Sequence, residues 1–179
     1  MLDNQLIQIF YPIITQGLVD YGIPDVSVRQ ANQPSQTGTL STNFVSFFKV
    51  LDKRYGWNKR LGYYDVDSEV YRHIEEQLYE STFQVNAYAV QNPDDINSLT
   101  ASDIINTVSE IFQSDKTIQQ LIDNNVGILK ISDIRNAPFT DDREQFEYSP
   151  SFDFTLRHIQ ERSIISDYIT DIESIIVAI

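Results

Sequence analysis

Two hydrophobic periods organise this chain. The clearest period of two sets Phe152, Phe154 and Leu156 on one side and Asp153, Thr155 and Arg157 on the other, the mark of a half-buried strand. The same period joins Tyr79, Ser81, Phe83, Val85, Ala87 and Ala89 within Val70–Val90. A strand of that length exceeds what one small core needs, so the surplus must project or pair elsewhere. Phe44–Val50 is a third strand, with Phe44, Ser46 and Phe48 facing one way and Val45, Phe47 and Lys49 the other. Bulk on both sides predicts cover on both sides. Lys53–Leu61, which holds Gly56 and Trp57, reads as the tip of a long hairpin. Shorter strands are predicted at Val26–Arg29, Gly127–Ile134 and Ile172–Ile179. The last of these is apolar to its end, which suits a strand inside the sheet or a subunit contact.

The helical period appears three times. Leu6, Phe10, Ile13, Ile14 and Leu18 share one face of a helix over 3–21. Asp3 is its expected cap, with Leu6 rather than Glu or Gln three residues on, and Pro12 should kink or restart it. Gly22 and Pro24 should end it. Thr100 caps a second helix, with Asp103 three residues later as an acidic capping box, and Ile104, Ile105, Val108, Ile111 and Phe112 form its buried stripe. A third helix carries Ile118, Leu121 and Ile122, with Asp115 as its expected cap, and stops at Asn124-Asn125. The polar run Gln30–Thr42 has little to bury. Between Asn136 and the 152–159 strand lies a Pro-bounded acidic loop, NAPFTDDREQFEY.

Charge narrows the possible partners. The formal net charge is −13 over 179 residues. Phosphate should repel so acidic a chain, which argues against general nucleic-acid binding. The basic residues are uneven: Lys49, Lys53, Arg54, Lys59 and Arg60 cluster, with Asp52 alone against them locally. They are either a solvated hairpin or a contact point for an acidic neighbour, including another copy. The start MLDNQLIQIF lacks a basic n-region and no apolar run reaches membrane-spanning length. The expectation is a chain made in the cytoplasm with no membrane partner.

Catalytic and metal-binding patterns are missing. Without cysteine, disulfides, thiolate metal sites and Cys nucleophiles fall away. The two histidines, His73 and His158, have no metal spacing and no nucleophile-elbow partner. Asp141, Asp142, Glu144 and Glu147 lack the pattern of a calcium loop, and Arg143 sits among them. The scattered glycines form no phosphate cradle. The expectation is a chain that is not an enzyme and takes no cofactor and no metal.

Four segments then carry a resemblance. FKVLDKRYGW (48–57), YESTFQVNAYAVQNP (79–93), NSLTASDIINTVSEIFQSD (97–115) and GILKISDIRNAPFTDDREQFEYSPSFDFTLRH (127–158) occur in an order and spacing that resembles the neck terminator and tail terminator-like proteins of long-tailed bacteriophages. The resemblance implies a ring, usually sixfold, that caps the tail tube and joins it to head-completion proteins. Implied partners are other copies of the chain, tail tube and possibly sheath proteins, and the head connector, with DNA passing through without specific binding. It implies no catalytic residues. By analogy it makes contact elements of Lys53, Arg54, Tyr55, Trp57, Lys59 and Arg60, and of Phe139, Asp141, Asp142, Arg143 and Glu144.

The sequence therefore predicts one α+β domain over 1–179, a mostly antiparallel sheet packed by helices, with a long hairpin projecting from within 44–90. The expected function is that of a neck or tail terminator ring subunit in the virion. A head-completion or tube-like protein of the same particle, or a non-viral binding module, remain alternatives, and a hydrolase comes last.

Overall fold

The computed structural model describes residues 1–31, 43–90, 94–95, 97–140 and 146–166, with the backbone alone at 137–140, 146–148 and 166. Helix α1 (Asp3–Asp20) is followed by strands β1 (Ser27–Gln30), β2 (Phe44–Asp65) and β3 (Val70–Tyr88). Helices α2 (Ala101–Gln113) and α3 (Asp115–Asp123) precede β4 (Val126–Ile131), β5 (Arg135–Thr140) and β6 (Phe146–Ser166). The sheet order is β1-β2-β3-β6-β4, with β5 paired to the start of β6. Only the β1–β2 pair is parallel. The fold is α+β with a mostly antiparallel sheet, as the two periods imply.

Helices cover one face of the body of this sheet. Phe10 meets Phe47, Phe83 and Phe154 edge-on at centroid distances of 5.0, 4.9 and 5.4 Å. Phe112 stacks on Phe154 at 4.4 Å. Leu6, Ile14 and Leu18 of α1, Ile104, Ile105, Val108 and Ile111 of α2, and Val45, Val85, Phe152 and Leu156 of the sheet complete the core. Edge-to-face and offset rings add to their burial because each ring's positive edge meets another's negative face. Burial alternates strictly along 81–87, as a one-sided strand requires. Among the described residues helices cover only one face of Phe44–Val50. Phe44 and Phe48 are half-buried on the helix-free face, where Thr82 and Thr155 share a hydrogen bond and Phe44 stacks on Tyr88 beneath the Arg29 guanidinium.

Several local expectations are corrected. The first helix begins after Leu2, not after an Asp3 cap, and Gln5 Oε1 accepts the Leu2 amide at 2.7 Å. It runs unbroken through Pro12, because five core side chains hold both halves. Its end is a Schellman turn: Gly22 takes φ +82°, with Ile23 N–H on Leu18 O and Gly22 N–H on Val19 O. Ser114, not Asp115, caps α3, and it also closes α2. Strand β4 ends at Ile131, short of Ile134. The acidic loop after Asn136 is itself mostly hairpin, β5 paired with β6 from Arg135↔Ser151 to Thr140↔Phe146. The strand around Phe152–Leu156 extends over Phe146–Ser166. The predicted strand Ile172–Ile179 lies outside the described residues.

The largest correction concerns the hairpin. Its turn is Val66–Glu69, not Lys53–Leu61. Strand β2 passes straight through the basic segment, and β6 adds a third strand as far as Ser166. The projection is a three-stranded arm built from the outer parts of β2, β3 and β6. Past Lys49, Glu80 and His158, nothing in the arm is fully buried among the described residues.

A candidate contact surface on the arm

At the foot of the arm the core face ends in a polar cluster. The Ser81 hydroxyl donates to Asp52 Oδ1 at 2.6 Å and lies 3.0 Å from His158 Nε2. Its proton is used on Asp52, so the imidazole must donate Nε2–H and leave Nδ1 unprotonated. That Nδ1 is buried without a partner among the described residues, which suits a neutral ring. Burial, reinforced by the nearby N-terminal ammonium, holds the His158 pKa below its ordinary value, and Asp52 opposes them in part. Tyr79 stacks on the ring. Lys49 bridges Asp52 and Asp3. Burial works against its charge, but the two carboxylates outweigh this and raise its pKa. This serine lies between acid and base, whereas a nucleophilic triad needs the base between the other two. The cluster locks α1 and the first residue to the foot of the arm, where the Met1 ammonium donates to Ile159 O at 2.8 Å.

Two irregularities shape the arm itself. The β2–β3 register slips between Lys49 and Leu51, and again between Tyr55 and Lys59, where Gly56, Trp57 and Asn58 stand against Gln77 alone. Gly56 takes φ +68°, a conformation that glycine adopts at no steric cost. The Gln77 amide donates to Tyr55 O at 2.6 Å and to Gly56 O at 3.4 Å. The bulge is thus held from both sides and re-aims the chain. It leaves Trp57 98% exposed. Further out, Gly62 lets Tyr71 cross the strand, since a Cβ there would stand 2.6 Å from the Tyr71 hydroxyl. At the turn Asp65 accepts from Ser68 and Arg72, which takes its pKa down to about 2.

The basic segment is largely neutralised within its own sheet. Lys59 pairs with Glu76 at 2.9 Å and Arg60 with Glu75 at 3.2 Å, each across the strands. Arg157 reaches the buried Glu80 at 2.7 Å. Lys53 and Arg54 make no ion pair among the described residues, and lie near the rings of Tyr55 and Tyr79. The sequence pointed to Asp52 alone as the local opposing charge. Asp52 does pair with Lys49, and the other acids, Glu75, Glu76 and Asp3, are brought in by pairing register and by α1.

Beside these charged residues the arm leaves large apolar side chains exposed. Tyr55, Leu61 and Tyr63 of β2 and Ile159 and Ile165 of β6 are exposed. The register puts these five on one face, with the partly buried Ile74 and Leu78 between them and the charged row Lys59, Glu76 and Glu161 crossing it. Large apolar side chains grouped on an exposed face mark a contact surface. Of the residues singled out in the sequence, Lys53, Arg54, Tyr55, Trp57, Lys59 and Arg60 all lie on this arm. Phe139 is on β5, on the hairpin at the other end of β6. Asp141, Asp142, Arg143 and Glu144 lie outside the described residues. The sequence reading missed Gln77, Ser81 and His158, whose roles depend on neighbours distant in the chain. An exposed run of large aromatics in a strand of period two was the one signal available for the apolar face.

A family model described as E217 gateway protein gp29 matches residues 5–168. The chain belongs to this family. The gateway family is one of bacteriophage structural proteins, in agreement with the resemblance to neck proteins, and this member is a virion protein. The matched span takes in α1, the whole arm and the β5–β6 hairpin, so the long strands belong to the family's own extent. No curated protein matches the chain. Among the described residues no helix is long and apolar enough to cross a membrane.

Proposed function

We propose that this gateway-family chain is a non-enzymatic ring subunit of the phage neck, which closes the end of the tail tube and joins it to the head connector. The observation that carries the reading is the arm. Its three strands continue well beyond the helix-covered core, and they expose apolar side chains that an isolated monomer would hide. Membership of a gateway family supports a position where head and tail meet. In a ring each copy presents one surface to the next, so an arm projecting beyond one end of the sheet suits heterologous contact. The acidic charge suits a passage along which DNA slides rather than sticks.

Removing the gene product from the phage tests this. A terminator's loss should give detached tails of uncontrolled length, because nothing stops the tube's growth. Detached tails of normal length would favour a head-completion role, and absence of tube would favour a tube role. Intact particles with normal tails would overturn the proposal.

A further inference from the structure

The two edges of the arm-bearing sheet carry a knob and a hole. Strand β1 pairs with β2 over Phe44–Phe47, and among the described residues no strand lies beyond β2 at the bulge that displays Trp57. The opposite edge is β4. There an open groove of about 400 Å³ lies between that strand and the helices, lined by Phe112, Ile118, Ile122, Gly127, Ile128 and Ile131, with Gln113 at its side. No charged residue lines it, and Ile122 is 55% exposed. The groove is large enough for an indole, the largest apolar side chain.

Trp57 and this groove do not meet within one chain. Three strand spacings separate the edges, about 14 Å, because neighbouring strands lie about 4.8 Å apart. Along the strands the bulge faces Gln77 and so Gln160, while the β4 residues that line the groove, Gly127 to Ile131, pair at Arg157 to Phe154. That adds about 10–20 Å at roughly 3.3 Å per residue. A side chain does not bridge such a gap, but the next copy set beside this one does.

We infer that Trp57 of one copy seats in the α3–β4 groove of the next, as the repeated contact of a ring. The inference rests on the ring reading above and names its residues. A knob and a hole on opposite edges make a heterologous contact, which each copy offers once in each direction. Charge favours this arrangement over body-to-body contact. Residues 50–79 and 159–166 hold six basic and seven acidic side chains, a net −1 of the chain's −13. The arm thus carries little of the charge by which acidic copies repel one another. A Trp held out by a glycine bulge and received by an apolar groove also has the character of an interface hot spot.

Trp57 is the only tryptophan in the chain, so its fluorescence reports this contact alone. The full chain is followed by sedimentation and by emission as its concentration rises. The expected result is association accompanied by a blue shift and a severalfold loss of iodide quenching. W57A and the groove variants I118E and I122E should stay monomeric with unchanged circular dichroism, since all three positions are exposed in the free chain. Mixing W57A with I122E restores one intact knob and one intact hole, and should give heterodimers that grow no further. Assembly of W57A like the wild type would overturn the inference. So would an assembled wild type whose Trp57 stays fully quenchable, or a mixture without heterodimers. A wild type still monomeric at about 1 mM, the weak end of specific affinity, would also overturn it. Each of these leaves the ring reading to the gene-removal phenotype, whose failure is seen in the particles instead.

Discussion

Phe10→Ala tests the core at its centre. The ring is fully buried and touches Phe47, Phe83 and Phe154, so it ties α1 to three strands at once. Truncation removes roughly 100 Å² of apolar contact, about 2.5 kcal/mol at ~25 cal/mol per Å². Loss of three edge-on ring contacts adds about 0.5–1.5 kcal/mol each before the surroundings relax. Collapse of the site recovers part of that, which puts the expected cost at about 4–5 kcal/mol, the upper part of the Phe-to-Ala range. Urea unfolding followed by far-UV circular dichroism measures it. Trp57 is too exposed to report the core. Tyr11→Ala, on the next residue and 39% exposed, is the control and should cost about 1 kcal/mol or less. If Phe10→Ala cost under about 1.5 kcal/mol, or no more than the control, α1 would not be packed as described.

Other outcomes follow from single sites. His158 is kept neutral by burial, so between its lowered folded pKa and the unfolded value near 6.5 the unfolded chain binds more protons. Stability should therefore be complete above that value and decline as pH falls below it, and His158→Phe should flatten this part of the profile. Gly17→Ala places a Cβ 2.7 Å from Ile111, and thermal unfolding should show a loss of about 1–3 kcal/mol from overpacking, despite alanine's better helix propensity. Lys53 and Arg54 are the cations of the basic segment without an ion pair among the described residues, so reversing both to Glu should weaken assembly in a salt-dependent way without unfolding the chain. Normal assembly of that variant at low salt would remove them from the contact. The free protein should show no measurable affinity for duplex DNA near physiological salt, and submicromolar, salt-sensitive binding would reverse that view of the basic segment.

The sequence by itself determined what local period and local chemistry control. The stripes Leu6–Leu18 and Ile104–Phe112, the Thr100–Asp103 capping box, the Gly22 stop and the alternation at Phe152–Leu156 were legible because each depends on residues a few positions apart. The excess length of β3 announced a projection. Only the tertiary structure decided where that projection turns. Gly56 looked like the apex because glycine marks both turns and bulges, and it was pairing with Gln77, twenty-one residues away, that made it a bulge. The same holds for charge. A row of basic residues reads as a patch along the chain, yet cross-strand register sets Lys59 and Arg60 against Glu76 and Glu75, and leaves Lys53, Arg54 and a set of large apolar side chains for a partner. The Ser81–His158–Asp52 cluster lay beyond reach for the same reason. Its members are separated by up to 106 positions in the chain, and only the register of three strands, with burial to fix the tautomer, makes them one site.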